Sequence, residues 1–142
     1  MTISVLIADD HAIFREGLRT LLKVSPEIQV LAEANNGSET LSLSERFKPD
    51  VIVLDWVMPG MGGLEVTKYL AVHQPQVRIV VVSMHADDIY VSRALQNGAK
   101  GYILKEDVSA HLAKAINAAV LGKRYLSPTL KSDLILMENC AK

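Results

Sequence analysis

Five short apolar runs, at residues 3–8, 28–33, 51–54, 77–82 and 101–104, alternate along the chain with longer segments in which apolar residues recur at helical spacing. That alternation predicts βαβ units around a parallel sheet. Val51-Ile52-Val53-Leu54 and Ile79-Val80-Val81-Val82 lack the polar alternation of half-exposed strands, so they read as central strands covered on both faces. The expected fold class is therefore α/β, a doubly wound, five-stranded parallel sheet.

The spacing of Phe14, Gly17, Leu18 and Leu21 predicts one face of a first helix. Val91, Ala94, Leu95 and Gly98 repeat that spacing in a fourth, and Asn97-Gly98 suits a helix end in the left-handed region. Leu112, Ala115, Ile116 and Ala119 predict a fifth helix, with Ser109 placed to cap its start. The second and third helices are read over residues 38–47 and 63–73. Periodicity weakens after Gly122, and Ser127-Pro128 marks a break. Residues 1–122 are thus expected to form the domain, with residues 123–142 as linker or C-terminal tail.

In open α/β sheets the functional crevice lies outside the carboxyl ends of the strands. Asp9 and Asp10 follow the first run, Asp55 the third, Ser83 the fourth and Lys105 the fifth. All converge at one end of the sheet. Three carboxylates in one crevice repel one another, and either a raised pKa or a bound cation relieves the repulsion. An all-oxygen donor set suits Mg²⁺ (or Mn²⁺) rather than zinc. Asp55 then reads as a nucleophile toward phosphorus, with Lys105 and the cation supplying positive charge and the Ser83 hydroxyl one hydrogen bond. Singly, each residue has an ordinary reading: Asp9-Asp10 as caps of the first helix, Asp55 as a turn residue before Pro59 and Gly60. Their joint placement favours function. The four histidines show no ligand-pair spacing, and none is assigned as a ligand.

Composition narrows the class further. The 142 residues are 49% hydrophobic, enough for one sizeable core, and 15 basic against 16 acidic residues give a net charge of −1. Such a balance does not advertise nucleic-acid or membrane-surface binding. The single cysteine, Cys140, excludes an internal disulfide. No apolar run is long enough to span a bilayer, and residues 1–8 lack a signal-peptide pattern. A cytoplasmic location is expected.

The motifs Val5-Leu6-Ile7-Ala8-Asp9-Asp10-His11, Pro49-Asp50-Val51-Ile52-Val53-Leu54-Asp55, Met58-Pro59-Gly60-Met61, Gly63-Leu64-Glu65 and Gly98-Ala99-Lys100-Gly101-Tyr102-Ile103-Leu104-Lys105, with Ser83, stand in order at strand ends. Together they resemble the receiver domain of bacterial response regulators, more narrowly the LuxR-type (NarL/FixJ) subfamily, over residues 3 to about 121. The resemblance implies a flavodoxin-like sheet in the order 2-1-3-4-5 and a non-enzymatic, phosphorylation-dependent regulatory role. It implies that Asp55 accepts phosphate from a histidine kinase. It further implies direct Mg²⁺ ligation by Asp10, Asp55 and the Val57 backbone carbonyl, with Asp9 acting through water. Lys105 would contact the phosphoryl group, and Ser83 and Tyr102 would be the switch pair, Tyr102 turning inward as Ser83 moves to the phosphate.

Relatives of this type dimerise through the first and fifth helices or through the fourth helix and fifth strand, and they regulate transcription through an attached helix-turn-helix domain. This chain carries no complete DNA-binding domain and is not expected to bind DNA specifically. Gly62 stands where the pattern usually has Asp or Asn, which predicts a weaker cap for the third helix. Two rivals fit less well. A haloacid-dehalogenase-type phosphatase wants a second Asp where Val57 stands, and Asp9-Asp10 would repel a flavin phosphate in a flavodoxin-like electron carrier.

Overall fold

The computed structural model describes residues 2–130. Six strands form one sheet: β1 (Ile3–Ala8), β2 (Ile28–Ala34), β3 (Val51–Asp55), β4 (Arg78–Ser83), β5 (Gly101–Leu104) and β6 (Tyr125–Leu126). Their order is β2-β1-β3-β4-β5-β6 and every neighbouring pair is parallel. The helices are α1 (Ala12–Leu22), α2 (Gly37–Phe47), α3 (Gly63–His73), α4 (Asp88–Gln96) and α5 (Val108–Val120). The expected doubly wound order of the first five strands is present.

Strand alternation assigns the two faces. Val5, Ile7, Val51, Val53, Val80, Val82 and Ile103 pack with Leu18 and Leu22 of α1 and Leu112, Ala115, Ile116 and Ala119 of α5. The intervening residues, Leu6, Ile52, Leu54, Ile79, Val81, Tyr102 and Leu104, pack with Val66 and Leu70 of α3 and Val91, Ala94 and Leu95 of α4. Burying each of the larger aliphatic side chains contributes about 1.5–3 kcal/mol. Such packing makes the sheet a stiff platform, and its strand ends hold the polar residues in fixed relation.

Three expectations need correction. A sixth strand extends the sheet beyond the five expected: the Tyr125 N–H donates to the Lys100 carbonyl at 2.9 Å, and the Ser127 N–H to the Tyr102 carbonyl at 3.0 Å. Two strand residues are too few to register as an apolar run. Gly17 is exposed, and Leu22 completes the α1 stripe with Leu18, flanked by half-buried Phe14 and Leu21. Ser109 lies inside the first turn of α5, whose N-cap is Asp107, because the chain enters the helix through a 3-10 turn at Lys105–Asp107. At α3 the N-cap Gly62 makes no side-chain hydrogen bond, as its lack of a side chain dictates.

The segment after α5 clips onto the β5 edge. Ser127 is fully buried, its Oγ accepts the Leu104 N–H at 2.8 Å, and Leu130 enters the core that holds Tyr102 and Leu104. Leu134 and Met137, apolar residues of the tail that could pack in the same way, lie outside the described residues. Among the described residues no helix is long and apolar enough to cross a membrane.

A mobile linker would tolerate substitution here, whereas this clip should not. Leu130→Ala is expected to cost about 2–3 kcal/mol in urea unfolding, and Ser127→Ala about 1–2 kcal/mol because the buried Leu104 N–H loses its acceptor. Losses below about 0.5 kcal/mol for both would refute the packing role.

Candidate functional site: an acidic crevice at the strand carboxyl ends

The last residues of β3 and β4 and the residues just past β1 and β5 meet at one end of the sheet. Asp9 is fully buried, Asp55 is 4% exposed, and Asp10 is partly open to solvent. Lys105 reaches into the cluster from the end of β5: its Nζ lies 3.1 Å from Asp9 Oδ2 and 3.4 Å from Asp55 Oδ2. A crevice of about 360 Å³ above them is lined by Asp10, His11, Asp55, Val57, Ser83 and Lys105, among others. The structure thus brings together all five residues read from the strand ends.

Local backbone explains the loop that walls this crevice. Gly60 has φ of +72°, the left-handed region that favours glycine. Gly63 starts α3 so close to Trp56 that an added Cβ would sit 2.8 Å from the Trp56 Cα, and its N–H donates to the Trp56 carbonyl at 2.9 Å. The Val57 N–H then donates to Asp55 Oδ1 at 3.3 Å, fixing the carboxylate's orientation.

The capping reading of Asp9-Asp10 fails on geometry. The N-cap of α1 is His11, and Asp9 Oδ1 accepts the His11 N–H at 2.8 Å instead of a first-turn helical N–H. Asp10 Oδ1 is buried with no hydrogen-bond partner, and neither does Asp9 Oδ2 receive a hydrogen bond despite its nearness to Lys105. One ligand atom from each of Asp9, Asp10, His11 and Asp55 falls within 4.8 Å of the others. Carboxylate oxygens gathered within 4.8 Å of one another, two buried ones without a hydrogen bond and with only an ion-pair contact each, are what a hard divalent cation satisfies, so the residues present fit Mg²⁺.

Charge balance leaves its mark on Asp55. Burial, then the neighbouring Asp9 charge, pushes its carboxyl up from 3.8 to about 6, while Lys105 and the Val57 N–H pull in the opposite direction.

Ser83 and Tyr102 are adjacent and buried. Ser83 Oγ accepts the His85 N–H at 3.0 Å, and the Tyr102 hydroxyl donates to the His85 carbonyl at 2.7 Å. Burial pushes the Tyr102 phenol up, offset in part by a hydrogen bond with Ser83. The Tyr102 ring is fully buried in the α4-side core with its hydroxyl satisfied.

Sequence reading missed three neighbours. His11 Nδ1 sits 3.3 Å from Asp9 and 3.2 Å from Asp10. Arg15 donates to the Asp9 carbonyl at 2.6 Å. The Phe14 ring lies 4.4 Å from Lys105 Nζ. Their position in or beside the first turn of α1 was the available signal, since that turn follows the acidic pair directly.

An acidic cluster facing a lysine on a sheet of this order defines a phosphoacceptor signalling domain, and the comparisons agree. The response regulator receiver domain model matches residues 5–117, and the chain belongs to that family. It is 38% identical over 133 residues to the transcriptional regulatory protein DegU of Brevibacillus brevis, covering 94% of this chain and 56% of DegU. It is 41% identical over 129 residues to the nitrate/nitrite response regulator protein NarL of Escherichia coli, covering 89% of this chain and 59% of NarL. The crystal structure of a LuxR-family two-component response regulator from an Aurantimonas species superposes with a TM-score of 0.91 at 33% identity, covering 97% of this chain and 99% of that one. The chain thus spans under two thirds of the length of DegU and NarL. Family membership sets aside the phosphatase and electron-carrier rivals.

The pKa shift makes a stability prediction. A folded-state value raised from 3.8 to about 6 means that the contribution of Asp55 is fully present below pH 4 and is lost as pH rises through 6. In metal-free protein, Asp55→Asn should therefore stabilise by about 1–3 kcal/mol at pH 7.5 and by much less at pH 4. Added Mg²⁺ should raise the melting temperature of the parent more than that of the variant. Equal gains at both pH values would contradict the assignment of Asp55 as the strained carboxylate.

Proposed function

We propose that Asp55 is the phosphoacceptor of this receiver domain and takes its phosphoryl group from a histidine kinase. The observation that carries the reading is the meeting of buried Asp55 with Asp9, Asp10 and Lys105 around two orphaned carboxylate oxygens. An Asp55 carboxylate oxygen bonds to phosphorus as the bond from phosphorus to the donor histidine nitrogen breaks, and that nitrogen leaves with the electron pair and takes up a proton. Lys105 exchanges its contact with Asp55 for a phosphoryl oxygen, and the Ser83 hydroxyl, one residue beyond apolar Val82, turns toward another. Asp10, Asp55 and the Val57 carbonyl would hold Mg²⁺ directly, with Asp9 engaged through water; when bound, the ion neutralises charge on the transferring group.

Ser83 and Tyr102 form the switch pair in this reading. Both side chains bond His85, Ser83 accepting its N–H and Tyr102 donating to its carbonyl, so a movement of Ser83 disturbs the loop that holds the Tyr102 hydroxyl. With Tyr102 already inside, the change is a repartnering of its hydroxyl, which remodels the surface of α4 and β5. The 1–122 unit acts as receiver, and residues from 123 onward connect it to an output.

Because DegU and NarL are named as regulators, and the response regulator RcsB is known in complex with DNA, transcriptional control is the proposed output of a longer protein. Self-association through α1 and α5, or through α4 and β5, is the proposed partner mode; exposed Ile13 on α1 and Leu121 after α5 supply apolar surface for the first. A cytoplasmic location and absence of specific DNA binding by this segment complete the reading.

Incubation with a small acyl phosphate and Mg²⁺, followed by intact mass, is expected to add one phosphoryl group to the parent and none to Asp55→Asn or to chelator-treated protein. A mass shift that survives in Asp55→Asn would sink the assignment.

A further inference from the structure

Lys105 has to be held where a carboxylate and an incoming phosphate can both reach it, and only part of what holds it is polar. Its Nζ faces Asp9 Oδ2 and Asp55 Oδ2 on one side and lies 4.4 Å from the centre of the Phe14 ring on another. A lysine stem has four flexible carbons and ordinarily carries its ammonium out to water. Here the Lys105 side chain is only 15% exposed. An ammonium over an aromatic face is attracted by the ring quadrupole, and more strongly where water is excluded. Phe14 reaches this place from the first turn of α1, half-buried and packed against the layer that contains Leu18 and Leu112.

We infer that Phe14 is a positioning residue for phosphoryl transfer, its ring holding the Lys105 ammonium in the crevice. The inference rests on the reading of Asp55 as phosphoacceptor. The choice of an aromatic ring has a chemical reason. A carboxylate or amide at this position would claim one of the three ammonium donors in a directional hydrogen bond. The ring attracts the charge without claiming a donor, so the contacts with Asp9 and Asp55 stay exchangeable for phosphate oxygens. It also occupies the side from which water would otherwise draw the ammonium away.

The competing account is that Phe14 merely fills space, and aliphatic residues of similar bulk separate the two. Phe14→Leu and Phe14→Met keep apolar volume and lose the quadrupole; Phe14→Tyr keeps both. The full chain and each variant would be phosphorylated by acetyl phosphate at saturating Mg²⁺, with initial rates followed by intact mass against donor concentration. Mg²⁺ affinity would be read from the fluorescence of Trp56, the residue adjoining Asp55. The expected result is a maximal rate lowered roughly five- to twentyfold in Phe14→Leu and Phe14→Met, the strength of a partly desolvated cation–π contact. Phe14→Tyr should stay within about twofold of the parent and keep its melting temperature, and all three should keep the parent's Mg²⁺ affinity. Aliphatic variants as fast as the parent, or a tyrosine variant as slow as leucine, would overturn the inference. So would a rate loss that tracks a loss of Mg²⁺ affinity, which would mark a purely structural role. Failure of the parent itself to become phosphorylated would instead remove the Asp55 reading on which the inference stands.

Discussion

Three carboxylates gathered around a single ammonium leave an excess of negative charge in a place where little water can reach it. Asp9 and Asp55 are buried and Asp10 contributes an orphaned oxygen, so Lys105 cannot satisfy all of them. At an effective dielectric near 20, two like charges about 4 Å apart repel by roughly 4 kcal/mol. The raised pKa of Asp55 registers that repulsion together with burial. A chain that bore this cost without a reason would relax by turning one carboxylate outward. What prevents relaxation is the sheet: β1 and β3 are adjacent, in register from Val5 with Val51 to Ala8 with Leu54, and flanked on both faces by packed apolar layers. The acidic residues stand on the ends of a stiff platform and cannot separate without disturbing it. Affinity for a cation and reactivity toward phosphorus both derive from that enforced proximity.

The same platform explains why a change of partner at Asp55 can be felt elsewhere. Ser83 ends β4 and Tyr102 lies on β5, and their hydroxyls converge on His85 in the loop between β4 and α4. Each hydroxyl bonds a different backbone group of His85, so a shift of one changes the environment of the other. Because both residues are buried, a broken hydrogen bond in this group cannot be replaced cheaply by water. A buried polar pair of this kind favours discrete arrangements over gradual drift.

Much of this was legible in the amino-acid pattern, and the failures have physical causes. Val51-Ile52-Val53-Leu54 announces a doubly covered strand because both sets of alternate residues are needed for two cores. The polar residue that ends such a run lands at the strand's carboxyl edge, so Asp55, Ser83 and Lys105 could be placed without coordinates. Caps were harder. Ser109 is a good capping residue by type, but the 3-10 turn at Lys105–Asp107 moves the cap two residues earlier, to Asp107. β6 escaped notice because its two residues owe their strand conformation to the β5 edge instead of to any period of their own. The resting place of Tyr102 depends on a partner, the His85 carbonyl, 17 residues away. Phe14 meets Lys105 through tertiary proximity that no local spacing encodes, whereas His11 adjoins Asp10 in the chain and was within reach of a local reading.

The clip formed by β6 and the turn after it bears on how a signal could leave the domain. Ser127 receives the Leu104 N–H and donates its own N–H to the Tyr102 carbonyl, so it is bonded to the Tyr102 backbone and to the residue immediately before Lys105. Leu130 shares a core with both side chains. On the other face Tyr125 stacks beside His111 of α5, its hydroxyl 2.8 Å from the imidazole Nδ1. The segment therefore grips the β5 edge from both layers at the point nearest the phosphate-handling lysine. On the proposed reading Lys105 shifts toward a phosphoryl oxygen, and the residue before it, Leu104, is hydrogen-bonded directly to Ser127.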